Sequence, residues 1–168
     1  MVVMPHIRLW HVAARLTVFG MSTSENKQLL QAIFAERAKG NHVPFREAMA
    51  DDFTWTIIGS TPWSGTYRGK QTVLCELTRP LLAQFAEPYM STPERFIAEG
   101  EYVVVESRGR VTTTRGEPYN NTYCFVFRVV GGELRELTEY CDTELVAHAL
   151  GPPDSSLLER GSRRRLHR

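Results

Sequence analysis

The chain has 168 residues, of which 42% are hydrophobic and 23% are charged, and its formal net charge is +1. This length and composition fit one globular domain with a core that is stable without disulfides or metals. Between residues 23 and 150, 13 Lys and Arg residues stand against 17 Asp and Glu residues, a net charge of −4. This mildly acidic region argues against a nucleic-acid-binding surface on the domain.

The three cysteines, Cys75, Cys124 and Cys141, form no Cys-x-x-Cys pair and no Cys/His set at metal-ligand spacing. Their number and spacing argue against a disulfide framework and a structural zinc site, so we expect no metal and a cytoplasmic location. The sequence lacks a glycine-rich phosphate loop, and we expect no cofactor. No apolar run approaches the roughly 20 residues that span a bilayer, so a membrane is not an expected partner.

The two ends of the chain differ in composition from its centre. Residues 1–22 are basic and contain no acidic residue. We interpret them as a disordered or upstream-start extension in preference to a targeting peptide. Residues 23–150 are predicted to form a single domain. Residues 151–168 contain Pro-Pro, Ser-Ser and five arginines, which predicts a basic disordered tail.

The first half of the domain predicts two helices. Ser22 to Glu25 form a capping box, which predicts the start of the first helix. Apolar residues follow at helical spacing with Arg37 on the outer face, and Gly40-Asn41 predicts the end. Pro44 is placed to open a second, short helix that ends at residues 51 and 52.

The remaining elements include one strand, one helix and a meander. Alternating residues predict a strand from Phe53 to Ile57, and turn-forming residues predict a loop over 59–69. A helix from Lys70 to about Phe85 should be interrupted at Pro80. The pattern then predicts strands over 95–98, 102–114, 119–130 and 134–142, and a last helix over 144–150. This order predicts an α+β fold and not a parallel α/β sheet.

Five short segments carry a resemblance to a known family. They are Ala-Asp-Asp at 50–52, Trp-Ser-Gly-Thr-Tyr-Arg-Gly at 63–69, Glu106 with Gly109, Tyr-Asn-Asn-x-Tyr at 119–123, and Glu-Tyr-x-Asp-Thr at 139–143. From about residue 26 to 151, the chain resembles the SnoaL-like branch of the nuclear transport factor two-like superfamily. The resemblance implies a cystatin-like cone, in which a curved mixed or antiparallel sheet wraps over three N-terminal helices.

The resemblance carries over only one catalytic group of the better-known relatives. Glu139 matches the water-activating carboxylate of limonene epoxide hydrolase, and the polyketide cyclases imply an acid/base carboxylate in the same strand. The other catalytic positions fall on residues without a suitable group. These are Ile57 and either Ile33 or Phe34 for ketosteroid isomerase, and Ser107, Gly109, Trp55 and Ile57 for the epoxide hydrolase.

Glu139 is therefore the leading catalytic candidate. A carboxylate inside an apolar, aromatic pocket has its charged form desolvated, and it can act as a general base or acid near neutral pH. The alternative places Glu139 on the solvent face, paired with Arg108 or Arg110. Asp142 is the second catalytic candidate, with a helix cap as its alternative role.

Hairpin register at Gly131-Gly132 decides between the two positions of Glu139. A two-residue turn puts Cys124 opposite Glu139, whereas a three-residue turn with a bulge puts Tyr123 and Glu139 on one face. The resemblance favours the bulged hairpin.

In the bulged hairpin, polar and aromatic residues line the predicted pocket. Tyr123, a catalytic candidate, and Asn121 could donate to a substrate oxygen, or they could be ordinary core residues. The predicted substrate-binding residues are Trp55, Ile57, Trp63, Tyr67, Asn121, Phe125 and Cys141. The aromatic members suggest a flat ligand or core packing.

These residues predict a small-molecule pocket. The function that we expect is a cofactor-independent cyclase, isomerase or hydrolase that uses carboxylate acid/base chemistry on a compact, apolar or aromatic, oxygenated metabolite. The alternative is a non-catalytic ligand-binding or dimerisation module of the same fold. We also expect a homodimer, because residues such as Val104 and Val126 on the other face of the sheet need covering.

Overall fold

A computed structural model describes residues 21–154 of the protein. Residues 1–20 and 155–168 lie outside the described residues, and with them most of the predicted extension and tail. The division into extension, domain and tail therefore stays a prediction. None of the helices found between residues 21 and 154 is long and apolar enough to cross a membrane.

The first two helices begin where the sequence predicts. Helix α1, Thr23–Arg37, starts with the capping box: the Glu25 amide donates to the Ser22 hydroxyl at 3.3 Å, and the Ser22 amide donates to the Glu25 carboxylate at 2.7 Å. Helix α2, Val43–Ala48, carries a proline in its first turn. It ends earlier than predicted, because the chain enters the first strand at Met49.

The third helical segment, which precedes the meander, is interrupted as predicted. It consists of α3, Lys70–Thr72, a π-helix, Val73–Thr78, and α4, Arg79–Leu82. Pro80 has no N–H and cannot continue an α-helical ladder. The amide of Arg79 donates instead to the carbonyl of Leu74, five residues back. The interruption therefore takes the form of a π-helix. The last helix, α5, is Thr143–Ala149.

Six strands form one mixed sheet. They are β1, Met49–Ile57; β2, Gly65–Arg68; β3, Met90–Glu99; β4, Tyr102–Arg110; β5, Thr122–Val130; and β6, Glu133–Cys141. Their order is β2-β1-β6-β5-β4-β3, and all neighbours are antiparallel except β1 and β6, which are parallel. The predicted α+β class with a mixed sheet is confirmed.

The largest errors concern two strands, whereas β1, β4 and β5 differ from their predicted ends by up to four residues. Strand β2 lies in the segment predicted as a loop, and its Tyr67 pairs with Trp55 of β1. The segment was predicted as a loop because turn-forming residues surround this short strand. Strand β3 begins at Met90, and not at Arg95, because Pro93 is accommodated at the sheet edge with a register shift.

The β5–β6 hairpin combines a tight turn with a separate bulge. Gly131 and Gly132 alone form the turn, with φ angles of 60° and 82°, so the predicted three-residue turn is wrong. The bulge lies at Arg135, which the pairing skips. Beyond it, Phe125 pairs with Glu139, and both side chains are buried. The bulge therefore brings about the predicted placement of Glu139 by a different route.

The core lies between the helices and the inner face of the sheet. The ring of Phe34 on α1 packs against Phe96, Phe125 and Phe127, with centroids 5.8–6.0 Å apart. The ring of Phe45 on α2 packs edge-on against Trp55 at 5.6 Å. This aromatic core surrounds the candidate site on the inner face.

Gly109 on β4 allows close packing of Tyr89, which predicts a stability effect. A Cβ at Gly109 would overlap the Tyr89 hydroxyl and lie 2.9 Å from two of its ring carbons. Gly109→Ala should displace Tyr89 and lower the free energy of unfolding by about 1–3 kcal/mol, as overpacking does. Urea denaturation measures this change. Gly151→Ala, whose Cβ would lie 3.7 Å from its nearest neighbour, is the control. Equal stability of the two variants would contradict the packing role.

Candidate active site

Glu139 lies on the inner face of β6 and is buried, with 8% of its surface exposed. It pairs with Ile57 on β1, and the indole N–H of Trp55, two residues earlier on β1, donates to its Oε2 at 3.0 Å. The alternative of a solvent-facing Glu139 is wrong, because the side chain is buried. Arg108 pairs instead with Glu94 at 2.6 Å, and Arg110 donates to the sulfur of Met90 at 3.8 Å. Glu139 is therefore a carboxyl group inside the aromatic core.

Burial raises the pKa of Glu139 to about 7. Hydrogen bonds from Trp55 and Cys141 and the positive charge of Arg37 act in the opposite direction, but the loss of hydration outweighs them. A carboxyl group with this pKa holds and releases a proton near neutral pH. General acid/base chemistry requires this property.

A tyrosine cluster lies on the same inner face. The Tyr123 hydroxyl donates to the Tyr119 hydroxyl at 3.0 Å, and the Asn121 amide donates to the same oxygen at 3.3 Å. The Asn121 amide also exchanges two hydrogen bonds with the backbone of Asp142, each of 3.0 Å. Tyr123 and Asn121, the predicted substrate donors, therefore both donate to Tyr119. The sequence predictions did not include Tyr119 among the site residues. Burial raises the pKa of Tyr119 and Tyr123, which keeps both hydroxyls protonated.

Asp142, the second catalytic candidate, caps helix α5. Its Oδ1 accepts from the amides of Glu144 at 3.0 Å and Leu145 at 3.1 Å, and the residue is exposed. The alternative role predicted from the sequence is thus the one that the structure shows. Because this carboxylate is engaged at the helix N-terminus, we assign it no proton transfer.

The predicted aromatic residues divide between packing and the site. Trp63 is buried, and its indole N–H donates to the carbonyl of Gly151 at 2.8 Å. The Tyr67 hydroxyl donates to the carbonyl of Trp63 at 3.2 Å. Both residues hold loops together. Phe125 instead stacks on Tyr123, with centroids 4.9 Å apart, and it lies in the same buried layer as Glu139.

Two further predicted residues lie next to Glu139. Ile57 is buried and is its neighbour across the parallel β1–β6 pair. Cys141 is partly buried, and its side chain lies close enough to the Glu139 carboxyl group to act against the rise in the pKa of that group. Burial and the nearby Glu139 carboxylate raise the pKa of the Cys141 thiol to about 12, so the thiol stays protonated.

A cavity of about 150 Å³ opens beside this layer. Trp55 and Tyr89 form part of its wall, and apolar side chains of the third helical segment, including Leu74 and Leu81, form another part. Among the predicted site residues, Trp55 lines the cavity directly. Glu139 lies behind it, at the end of the indole hydrogen bond.

The cavity also has a basic side, which the sequence predictions missed. Arg37, His42 and Arg46 line it, and none of its lining residues is acidic. His42 Nε2 lies 2.7 Å from the carbonyl oxygen of Tyr89, to which it donates. Burial, together with the charge of Arg37, lowers the pKa of His42. The imidazole is therefore neutral at pH 7, and the two arginines supply the charge.

Arg37 was predicted on the outer face of α1, but it is only 4% exposed. The spacing of Arg37 in the sequence indicates burial, since Leu30, Ile33, Phe34 and Arg37 stand at i, i+3, i+4 and i+7, the pattern of one buried helix face. We predicted Arg37 to be exposed because its side chain is charged. The guanidinium carbon lies 4.4 Å from the ring centroid of Phe45.

The described residues provide no metal site. Between residues 21 and 154, no three His, Cys, Asp or Glu side chains come together in a way that could hold a metal ion. All three cysteines are free. The absence of a cofactor stays a prediction.

Comparisons with known proteins place the fold. A protein-family model described as "SnoaL-like domain" matches residues 30–137. No curated protein matches the chain. An NTF2-like protein from Burkholderia xenovorans LB400 is 29% identical, with a TM-score of 0.60, over 78% of this chain and 99% of that one.

Two other solved structures share the fold at lower identity. An NTF2-like protein from Burkholderia thailandensis E264 is 24% identical, with a TM-score of 0.66, over 79% of this chain and 100% of that one. A Jannaschia sp. CCS1 protein, named for its likeness to SnoaL-type polyketide cyclases, is 17% identical, with a TM-score of 0.64, over 79% of this chain and 95% of that one.

The raised pKa of Glu139 predicts a pH-dependent stability. The folded protein holds this proton up to about pH 7, whereas a glutamate ordinarily releases it near pH 4.5, so stability should fall as the pH rises between these values. Glu139→Gln, which mimics the protonated form, should raise the free energy of unfolding by about 3 kcal/mol at pH 8 and by less than about 1 kcal/mol at pH 5. Chemical denaturation at the two pH values measures the difference.

The matched control for this experiment is Glu47→Gln on the exposed side of α2. Because Glu47 is exposed, this substitution should change the free energy of unfolding by less than about 0.5 kcal/mol. If Glu139→Gln were as stable as the unchanged protein at pH 8, Glu139 would not carry the desolvation that its position implies.

Proposed function

The chain belongs to the SnoaL-like domain family, and from this premise we propose that its pocket binds a small oxygenated metabolite and catalyses proton transfer on it without a cofactor. Glu139 is the proposed acid/base. The observation that carries the proposal is a single buried carboxyl group with a pKa of about 7, held by the indole of a cavity-lining tryptophan. The reaction class is isomerisation, cyclisation or hydrolysis.

The proposed chemistry begins with the ionised form of Glu139. This carboxylate removes a proton from a carbon beside a carbonyl group, and the electron pair moves onto the carbonyl oxygen to give an enolate. Where the enolate is conjugated with a carbon–carbon double bond, return of the proton from Glu139 to the far carbon completes an isomerisation. Attack of the enolate carbon on a second carbonyl closes a ring, and Glu139 returns its proton to the alkoxide oxygen that this attack forms. In a hydrolysis, the same carboxylate takes the proton from an attacking water molecule.

The tyrosine cluster is the proposed stabiliser of the developing negative charge. The Tyr119 hydroxyl accepts hydrogen bonds from Tyr123 and Asn121, so its own proton remains available for donation. Donors that are already oriented before the reaction need no reorganisation when the charge develops. Tyr123 and Asn121 are therefore positioning residues in this proposal, and Tyr119 is the donor.

A non-catalytic binding module is the second candidate. Two observations favour it. The donors of Tyr123 and Asn121 already have acceptors inside the protein. Trp55, and not Glu139, lines the cavity, and Glu139 is joined to it by the indole hydrogen bond. The same pocket would then bind a compact apolar or aromatic metabolite without converting it. The two candidates differ in what the loss of the Glu139 carboxylate does.

Glu139→Gln separates the two functions. A thermal-shift screen with compact oxygenated compounds identifies a ligand, because a ligand of the folded state raises the melting temperature. If the pocket is catalytic, Glu139→Gln should lower kcat on that compound by about 10²-fold or more and leave binding unchanged. The activity of the unchanged protein should rise with pH through about 7, as Glu139 ionises.

Asp142→Asn is the matched control, since its amide oxygen can still cap α5. It should retain turnover. Unchanged turnover in Glu139→Gln would remove Glu139 as the acid/base. Tight binding without turnover in the unchanged protein would favour the binding module.

We also propose that the outer face of the sheet forms a homodimer. Ile97, Val104 and Val126 lie side by side across β3, β4 and β5, and Ile97 is 53% exposed. A contiguous apolar stripe of this kind is typical of a contact surface. A second copy of the chain is the occupant expected of the family.

Charge in this stripe should prevent association. Val126→Arg should convert a dimer into a monomer in light scattering, because it places an unpaired charge in the proposed interface. Val43→Arg, at an exposed apolar position on α2, is the control and should remain dimeric. A monomeric unchanged protein at micromolar concentration would contradict the proposal.

A further inference from the structure

The Arg37 side chain is a buried cation in which two of the three guanidinium nitrogens have no hydrogen-bond partner. Its Nε and Nη1 atoms are buried and donate to no acceptor in the part of the chain that the structure describes. None of the ion pairs found there includes it. A buried charge is costly unless it is paired and hydrogen-bonded, so an unpartnered guanidinium needs an explanation.

Aromatic rings explain only part of this burial. The guanidinium carbon lies 5.0, 4.4 and 5.6 Å from the ring centroids of Phe34, Phe45 and Phe125. Cation–π contacts of this length stabilise a cation and fix its position. They accept none of its N–H groups in a conventional hydrogen bond, however. The rings therefore hold the guanidinium in place while its Nε and Nη1 donors stay unpaired.

The cavity beside Arg37 has the charge that an anion needs. Arg37 and Arg46 line it, and its lining residues include no carboxylate. The charge of Glu139 acts on Arg37, but the two side chains form no ion pair. The Glu139 carboxyl group accepts a hydrogen bond from the Trp55 indole instead. A negative charge brought in by a ligand would meet the positive charges of Arg37 and Arg46, while the nearby Glu139 is only partly ionised near pH 7 and no residue that lines the cavity is acidic.

We propose that Arg37 binds the carboxylate of the ligand, so that the pocket takes small monocyclic carboxylic acids. Carboxylate oxygens are strong acceptors for guanidinium N–H groups. A cavity of about 150 Å³ has room for one ring. Phe85, Leu81 and Leu82, which also line it, offer apolar contacts to that ring. The proposal rests on the proposed small-molecule pocket and names the chemical class of its ligand.

Matched pairs of acids and amides test this assignment. Benzoate and benzamide, and cyclohexanecarboxylate and its amide, have the same ring and differ in charge. Isothermal titration with the full chain at constant ionic strength should show that each acid binds at least about tenfold more tightly than its amide. Equal affinities for acid and amide, or no binding by either acid, would overturn the proposal.

Three variants at two arginines show which side chain causes the preference for acids. Arg37→Met should abolish the preference for acids, whereas Arg46→Met, which removes an exposed arginine of the same cavity, should retain most of it. Arg37→Lys keeps a positive charge and should retain part of it. A full preference in Arg37→Met would overturn the assignment.

Stability distinguishes a ligand anchor from a structural arginine. Replacing a buried, unpaired charge by an apolar side chain of similar size is often neutral or stabilising. Arg37→Met should therefore melt at the same or a higher temperature than the unchanged protein when no ligand is present. A clearly lower melting temperature would show that the guanidinium serves the fold.

An inorganic anion is the remaining occupant to exclude. If chloride at the same concentration raises the melting temperature as much as benzoate does, Arg37 holds an adventitious anion and the carboxylate assignment fails. The proposal is separable from the catalytic one, because Glu139→Gln should still bind benzoate. Acid binding without any turnover would remove the proposed catalysis and leave the role of Arg37 intact.

Discussion

The bulge at Arg135 is the constraint on which the candidate site depends. Side chains alternate between the two faces of a strand, so a shift of one residue exchanges inner and outer positions. The tight turn at Gly131-Gly132 by itself would put Glu139 on the same face as Val104 and Val126. The skipped residue moves it inward beside Trp55. The buried acid therefore follows from one extra residue in β6 as much as from the presence of a glutamate.

The inner face buries two opposite charges without joining them. Glu139 hydrogen-bonds to Trp55, and Arg37 rests among phenylalanine rings. A direct ion pair would lower the pKa of the acid and occupy the donors of the arginine. Their separation leaves a carboxyl group that titrates near pH 7 and a cation with unused donors. A core selected only for stability would contain apolar residues at these positions, so function is the simpler explanation.

The sequence predicted the fold class and the inward position of Glu139 well, and it predicted other features poorly, for physical reasons. The capping box at Ser22 and the alternation in β5 and β6 are local patterns, and local patterns survive in the structure. Strand β2 was missed because turn formers surround four residues that only pairing with β1 makes extended. Arg37 was missed because charged side chains are usually exposed, whereas this one is buried. The internal hydrogen bonds of Tyr119 depend on side-chain distances that no spacing rule supplies.

The π-helix at Val73–Thr78 has a consequence for how the pocket can diverge among related chains. A π-turn holds one residue more than an α-turn, and such turns behave as insertions. Removing one residue there would convert the π-turn into an α-turn, and the residues downstream, including Leu81 and Leu82, would keep their direction. Leu74 and Thr78, which lie in the π-helix and line the cavity, would move instead. The chain length of this segment, and not only its side chains, is therefore a variable by which evolution could alter the selectivity of the pocket.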